Sequence, residues 1–218
     1  MLLVYCLVFP YNTFEVRKFG LAIAILYMMK QKSKYDNAII LHGCPPNEQT
    51  VTPKKNRWMN WLAEQLNEKG FHAIAPDFPT SWEPTYTDWK KEFEKYPVTY
   101  NTLLVGHSCG GAFLVRWLLE TKKNVKKLIL VAPAKVPETE DDTRKDLYNF
   151  ELPLRSHIAD EIVVFTSNDF PHHLKSLELY KQALNPRIVK LENKFHFLFF
   201  QMKTNQFPEL LTEILDNV

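Results

Sequence analysis

Glycine is scarce in this sequence, with 6 residues among 218. A chain with so few has little slack for tight turns and close backbone contacts, so the places where they fall carry information. Cysteine is scarcer still: Cys6, Cys44 and Cys109. Three cysteines without paired spacing exclude a disulfide framework and any zinc-finger pattern. His172 and His173 are adjacent, so they lack the i,i+4 spacing of helical metal ligands; no structural metal and no cofactor are expected. A reducing, cytoplasmic setting is the simplest for such cysteine usage. Charge excess is also lacking. A formal net charge of +2 is too small for a nucleic-acid binder, which gathers basic residues on one face. The one basic run, Lys122–Lys127, reads as the solvated end of a helix, where cations suit the dipole. Long apolar runs are missing as well. "MLLVYCLVFP" and "FGLAIAILYMM" both fall short of the ~20 residues a spanning helix needs, so no stable membrane span is expected.

Residues 1–34 differ in character from residues 35–218. A basic pair precedes the second apolar run, as in a signal peptide, but no small-residue cleavage site comes after it in "YMMKQKSKYD". A start codon assigned upstream of Met28 or Met29 accounts best for this extension. A weak anchor or export signal and an additional packing helix are the other readings. The globular domain is expected over residues 35–218.

From Tyr35 onward, short apolar runs alternate with amphipathic ones. "NAIILHG", "FHAIAPDFP", "YNTLLVG", "VKKLILVAP", "EIVVFTS" and "RIVKLE" read as strands. "RWMNWLAEQLNEKG", "TYTDWKKEFEKY", "GGAFLVRWLLETKK", "HHLKSLELYKQAL" and "PELLTEILDNV" read as helices, by apolar residues at helical spacing. Continuous apolar strands are covered on both faces. Strand–helix alternation predicts an α/β fold: three layers, with a mostly parallel sheet of about six strands and helices on both faces. The polar segment from Pro133 to Asp160 is the natural place for a small cap. Tyr148 and Phe150 within it would line a pocket or pack beneath the loop.

In such a sheet, ligands bind beyond the carboxyl ends of the strands. There the sequence places Gly106-His107-Ser108-Cys109-Gly110, a G-x-S-x-G elbow between the third strand and the next helix. Half of the glycines, Gly106, Gly110 and Gly111, lie in this turn, and Gly43 comes after the first strand. Side chains at Gly106 or Gly110 would collide with neighbouring backbone. Ser108 is therefore the candidate nucleophile, and it needs a base and an orienting acid.

The order for this elbow is serine, then acid, then histidine. His42, His72 and His107 precede or adjoin Ser108. His157 lies at the amino end of the fifth strand. His172 and His173 come too soon after the best acid to leave room for a crossover. His196, after the sixth strand, satisfies both order and position. Asp169 lies just beyond the carboxyl end of the fifth strand, whereas Asp160 and Glu161 lie at its amino end. Asp77 precedes the serine and reads better as a turn or cap residue. Two backbone N–H groups would hold an oxyanion: Cys109, after the nucleophile, and Gly43 or Cys44 after the first strand. Pro45 and Pro46 have no N–H, and Cys44 is favoured.

With "ILHG", "RWMNWLAEQL", the run from Pro76 to Trp89, "GHSCGG", "SND" and "FHF" in view, the chain from Tyr35 resembles the YdeN-like, retinoblastoma-binding-protein-nine family of small α/β-hydrolases. The resemblance implies a Ser-Asp-His serine hydrolase with little or no lid, acting on small esters. One departure is Phe195, where the family usually has glycine before the histidine. The expected activity is hydrolysis of small carboxylic esters through an acyl-enzyme. Amidase, peptidase or acyltransferase chemistry on the same residues, or a binding protein on a hydrolase scaffold, are the alternatives. The expected partner is a small-molecule ester or amide.

Overall fold

The computed structural model describes residues 35–216; the expectations for residues 1–34 lie outside the described residues. Six strands form one parallel sheet: β1 Asn37–Leu41, β2 Ala73–Ile74, β3 Thr102–His107, β4 Val125–Val131, β5 Ala159–Thr166 and β6 Arg187–Lys190. Their order across the sheet is β2-β1-β3-β4-β5-β6. The longer helices are α1 Trp58–Glu68, α2 Tyr86–Phe93, α3 Cys109–Thr121, α5 Pro171–Leu184 and α7 Pro208–Leu215; α4 Lys145–Tyr148 and α6 Phe199–Met202 are single turns.

Period-two alternation divides the core into two layers. Ile39, Leu41, Leu104, Leu128, Leu130, Ile162 and Val164 face a layer that includes Trp89 of α2, Phe113 of α3 and Tyr180 of α5. Ala38, Ile40, Leu103, Val105, Ile129, Val131, Val163 and Phe165 face Trp58 and Leu62 of α1 and Leu210 and Ile214 of α7. The three-layer α/β expectation therefore holds, and the central strands are apolar on both faces because both faces are packed. β2 is only two residues long, and β6 is largely exposed; as sheet edges they need less burial.

The helix ends obey local chemistry. Thr85 caps α2, its Oγ1 accepting from the Asp88 amide at 3.1 Å. The α1 segment closes through Gly70 at φ 84°. Prolines open α5 and α7 at their first turns, where a missing N–H costs nothing. On α1, Trp58 is 2% exposed, whereas Trp61 is only partly buried.

The basic run Lys122–Lys127 is not uniformly solvated. Lys122 ends α3 in the left-handed region at φ 53°, as a helix end should. Lys127, however, lies within β4 and is fully buried. Its ammonium meets Glu213 Oε1 at 2.8 Å and Glu161 Oε2 at 3.1 Å. Period two forces it inward, and the two carboxylates satisfy a charge that burial would otherwise penalise. Among the described residues, no helix is long and apolar enough to cross a membrane.

Phe113 joins the layer that supports α3. Its ring packs against Phe78, Tyr86, Trp89 and Phe93. Phe113→Ala is expected to cost about 3–5 kcal/mol through lost burial and a cavity, read by urea denaturation. A loss below about 1 kcal/mol would contradict this packing account.

Candidate functional site

The site begins with a backbone squeeze. A Cβ on Gly106 would lie 2.6 Å from the Gly111 Cα, and one on Gly110 would lie 2.4 Å from the His42 carbonyl oxygen. Only glycine fits either position. The close contacts let β3 turn into α3 within one residue, Ser108, which adopts φ 50° and ψ −120°. This positive-φ conformation is strained for a non-glycine residue, by about 1–3 kcal/mol. It is held from outside: the Ser108 amide donates to Val131 O at 2.9 Å, and its carbonyl accepts from Ala134 N at 3.1 Å.

The carboxyl ends of β3, β5 and β6 bring three expected residues together. The Ser108 hydroxyl donates to His196 Nε2 at 3.0 Å. His196 Nδ1–H donates to Asp169 Oδ2 at 2.7 Å. The other Asp169 oxygen accepts from the Phe170 amide at 2.7 Å. Ser108 and His196 are 5% and 7% exposed. Burial dominates the titration of both Asp169 and His196. It raises Asp169 and pushes His196 down to about 3, favouring a neutral imidazole. Asp77 lies apart, in a surface ion-pair cluster with Lys54 and Arg57. His157 pairs with Asp160, at 3.9 Å.

The histidine loop has supports that no sequence pattern announces. Gln201, on α6, accepts from the amides of His196 at 2.9 Å and Leu198 at 3.2 Å. His107 Nε2–H donates to the His196 carbonyl at 2.8 Å. Phe195, where the resembled family usually has glycine, takes φ 49°. The loop thus keeps a glycine-like conformation with a phenylalanine, and the ring is 43% exposed. His173 stacks on His196 with centroids 3.8 Å apart. Its nearness to Asp169 in sequence argues against a role as the base. The start of α5 at Pro171 instead folds it back over His196. One nitrogen of His173, one of His196 and an Asp169 carboxylate oxygen could together hold a cation, with ligand atoms within 4.8 Å of one another.

After β1, His42 shapes the adjoining loop. Its Nδ1–H donates to Gly43 O at 2.8 Å, and its Nε2 accepts from Phe78 N at 3.1 Å. Burial lowers His42 to about 4, so the neutral ring can play both roles. A peptide's C=O and N–H point in opposite directions. Fixing Gly43 O on His42 therefore aims the Cys44 N–H away from that ring. A Cβ on Gly43 would sit 2.9 Å from the Ser108 Cβ, which shows how closely this loop approaches the elbow.

A cavity of about 420 Å³ opens at this junction, lined in part by Ser108, His196, Met59, Val136, Tyr148 and Phe199. Tyr148 therefore contributes to the wall, and its hydroxyl is held by Asp142. Asp142 also takes Arg144 Nε at 2.7 Å and Nη2 at 2.9 Å. Burial alone would raise Asp142, but these donors outweigh it and bring it to about 2. Phe150 packs beneath the segment instead, against the core and below the Lys135 ammonium at 4.4 Å.

A family model for serine hydrolases matches residues 51–212. Among solved structures, the fold resembles the ydeN gene product from B. subtilis, with a TM-score of 0.70 at 21% identity over 83% of this chain and 99% of that one. It also resembles Est1E from Butyrivibrio proteoclasticus bound to ferulic acid, with a TM-score of 0.54 at 15% identity over 85% and 89% of the two chains. A monoacylglycerol lipase from Paleococcus ferrophilus gives 0.58 at 13% identity over 85% and 97%. Curated protein sequences give no match. The parallel sheet, the elbow at its carboxyl edge and the family match lead to one identification: this chain belongs to the serine hydrolase family and has the α/β-hydrolase fold of its YdeN-like members.

Proposed function

We propose that the chain hydrolyses small carboxylic esters through an acyl-enzyme on Ser108. The observation that carries this reading is the continuous hydrogen-bond path from Ser108 through His196 to Asp169 at the cavity. Ser108 Oγ attacks the acyl carbonyl while His196 Nε2 takes its proton. His196 then gives that proton to the leaving alcohol, and Asp169 holds the imidazole in the required tautomer. Water, activated by the same imidazole, releases the acid. The backbone N–H groups of Cys109 and Cys44 take the developing oxyanion, each worth about 10²–10³ in rate. The largely apolar lining suits an acyl group. The monoacylglycerol lipase from Paleococcus ferrophilus favours ester over amide substrates.

The direct test is a fluorophosphonate probe with peptide mapping. The label is expected on Ser108 and absent from Ser108→Ala. The same variant should lose about 10³-fold or more in hydrolysis of activated esters. Labelling of another serine, or an active variant, would overturn the assignment.

The titration of His196 gives a second expectation. Only the neutral ring can accept the serine proton, so protonation abolishes activity. Burial moves the imidazole down from 6.5 to about 3. The neutral form therefore persists as pH falls, and kcat/KM should hold well below pH 6.5. An acid limb above pH 6.5 would contradict this environment for His196.

A further inference from the structure

One face of His196 is covered by a ring that the proposed hydrolysis does not use. The His173 imidazole lies over it, with centroids 3.8 Å apart and planes 17° apart. The His107 ring is farther from His196 and more tilted, at 5.0 Å and 47°. His173 Nδ1 is buried without a hydrogen-bond partner. An unpaired buried polar atom costs stability, so hydrogen bonding through Nδ1 does not account for the place of this ring. Packing does: the His172 ring touches it too, with centroids 4.0 Å apart.

The start of α5, which carries His173, is tied down. The His173 amide donates to Phe170 O at 3.0 Å. Ser176 is fully buried. Its Oγ donates to His172 O at 2.8 Å and accepts from the Lys135 and Val136 amides at 3.0 and 2.9 Å. The adjoining Ala134 amide donates to the Ser108 carbonyl. The stacked ring and the elbow are thus anchored on one short segment after β4.

Hydrogen bonds hold the His196 ring at both nitrogens: Ser108 Oγ donates to Nε2, and Nδ1 donates to Asp169. The bonds from Gln201 and His107 act on the amide and carbonyl of His196, not on its ring. Acylation replaces the proton of the Ser108 hydroxyl, so Nε2 loses its donor. One bond to Asp169 does not stop the ring from swinging about the axis of that bond. This is the stage at which Nε2 must take a proton from water.

We propose that His173 is a positioning residue for deacylation: stacked on His196, it holds that imidazole in plane while Ser108 is acylated, so that Nε2 stays aimed at the attacking water. The proposal rests on the acyl-enzyme reading. His173 makes no bond to the substrate and moves no proton. Contact between flat faces is what it supplies, and a phenyl ring supplies it as well. A misplacement of about 1 Å at the reacting groups costs on the order of 10²-fold, and here the loss falls on the second step.

The test compares His173→Ala and His173→Phe with the unaltered full chain on an activated ester, for which acylation is fast. His173→Ala is expected to lower kcat by about tenfold or more. The ratio kcat/KM reports the steps up to acylation and should change by less than about threefold. KM then falls with kcat, and intact mass shows the acyl-enzyme accumulating. His173→Phe is expected to restore kcat to within about threefold. An alanine variant with unchanged kcat would overturn the proposal. So would equal losses in kcat and kcat/KM, or a phenylalanine variant as slow as the alanine one. Crystal structures of Ser108→Ala, with and without His173→Ala, address the same point without turnover, because removing Oγ takes the donor from Nε2 as acylation does. The His196 ring is expected to keep its place in the single variant and to turn away in the double variant. A ring that stays in place in both would overturn the proposal. If the unaltered chain hydrolyses no ester, the functional reading fails on its own, while these two structures still decide whether His173 holds the ring.

Discussion

Backbone pressed on backbone is the constraint on which the site depends. Gly106 lies against Gly111, and Gly110 lies against the His42 carbonyl, at separations no side chain could tolerate. These approaches force β3 into α3 through a single strained residue. The strain at Ser108 is held by bonds to Val131 and Ala134, both supplied by β4 and the turn after it. The parallel pairing of β3 with β4 therefore does more than build a core: it holds the proposed nucleophile in a conformation it would not keep alone. The aromatic layer around Phe113 secures α3 from the other side. Packing, backbone strain and the cavity edge of the elbow form one chain of dependence.

The second feature is a set of neutral imidazoles, three buried and one, His173, half-buried. His42, His107, His173 and His196 all lie close to the elbow, and burial is the largest cause of the downward shift in each. Neutral rings can donate from one nitrogen and accept at the other. His42 uses that capacity to orient the β1 loop, and His107 donates to brace the carbonyl of His196. The ring of His196, the proposed base, is thus set by its neighbours as well as by Asp169. Gln201 holds two amides of the same loop, which helps explain how Phe195 remains at a positive φ without glycine.

Much of this is legible in the residues. Continuous apolar runs locate β1, β3, β4 and β5, because strands buried on both faces need apolar side chains throughout. The scarcity of glycine makes its clustering around Ser108 informative. Chain order and strand position select His196 and Asp169, which meet Ser108 in space. Other features are hidden for physical reasons. Lys127 looks solvated in the sequence because its carboxylate partners, Glu161 and Glu213, are distant along the chain. The nearness of His173 to Asp169 conceals its place at the site, because only a helix starting there returns it to His196. Gln201 carries no signal: a glutamine directly after a pair of phenylalanines gives no hint that it bonds backwards to a loop.

In the proposed mechanism, the strained elbow and the β1 loop aim two backbone donors at a group attached to Ser108. A crystal structure of the fluorophosphonate adduct tests this most directly. The phosphonyl oxygen is expected within about 3 Å of the Cys109 and Cys44 amide nitrogens, with phosphorus bonded to Ser108 Oγ. An adduct on Ser108 whose oxygen faces solvent, with the Cys44 amide turned elsewhere, would contradict this arrangement of donors.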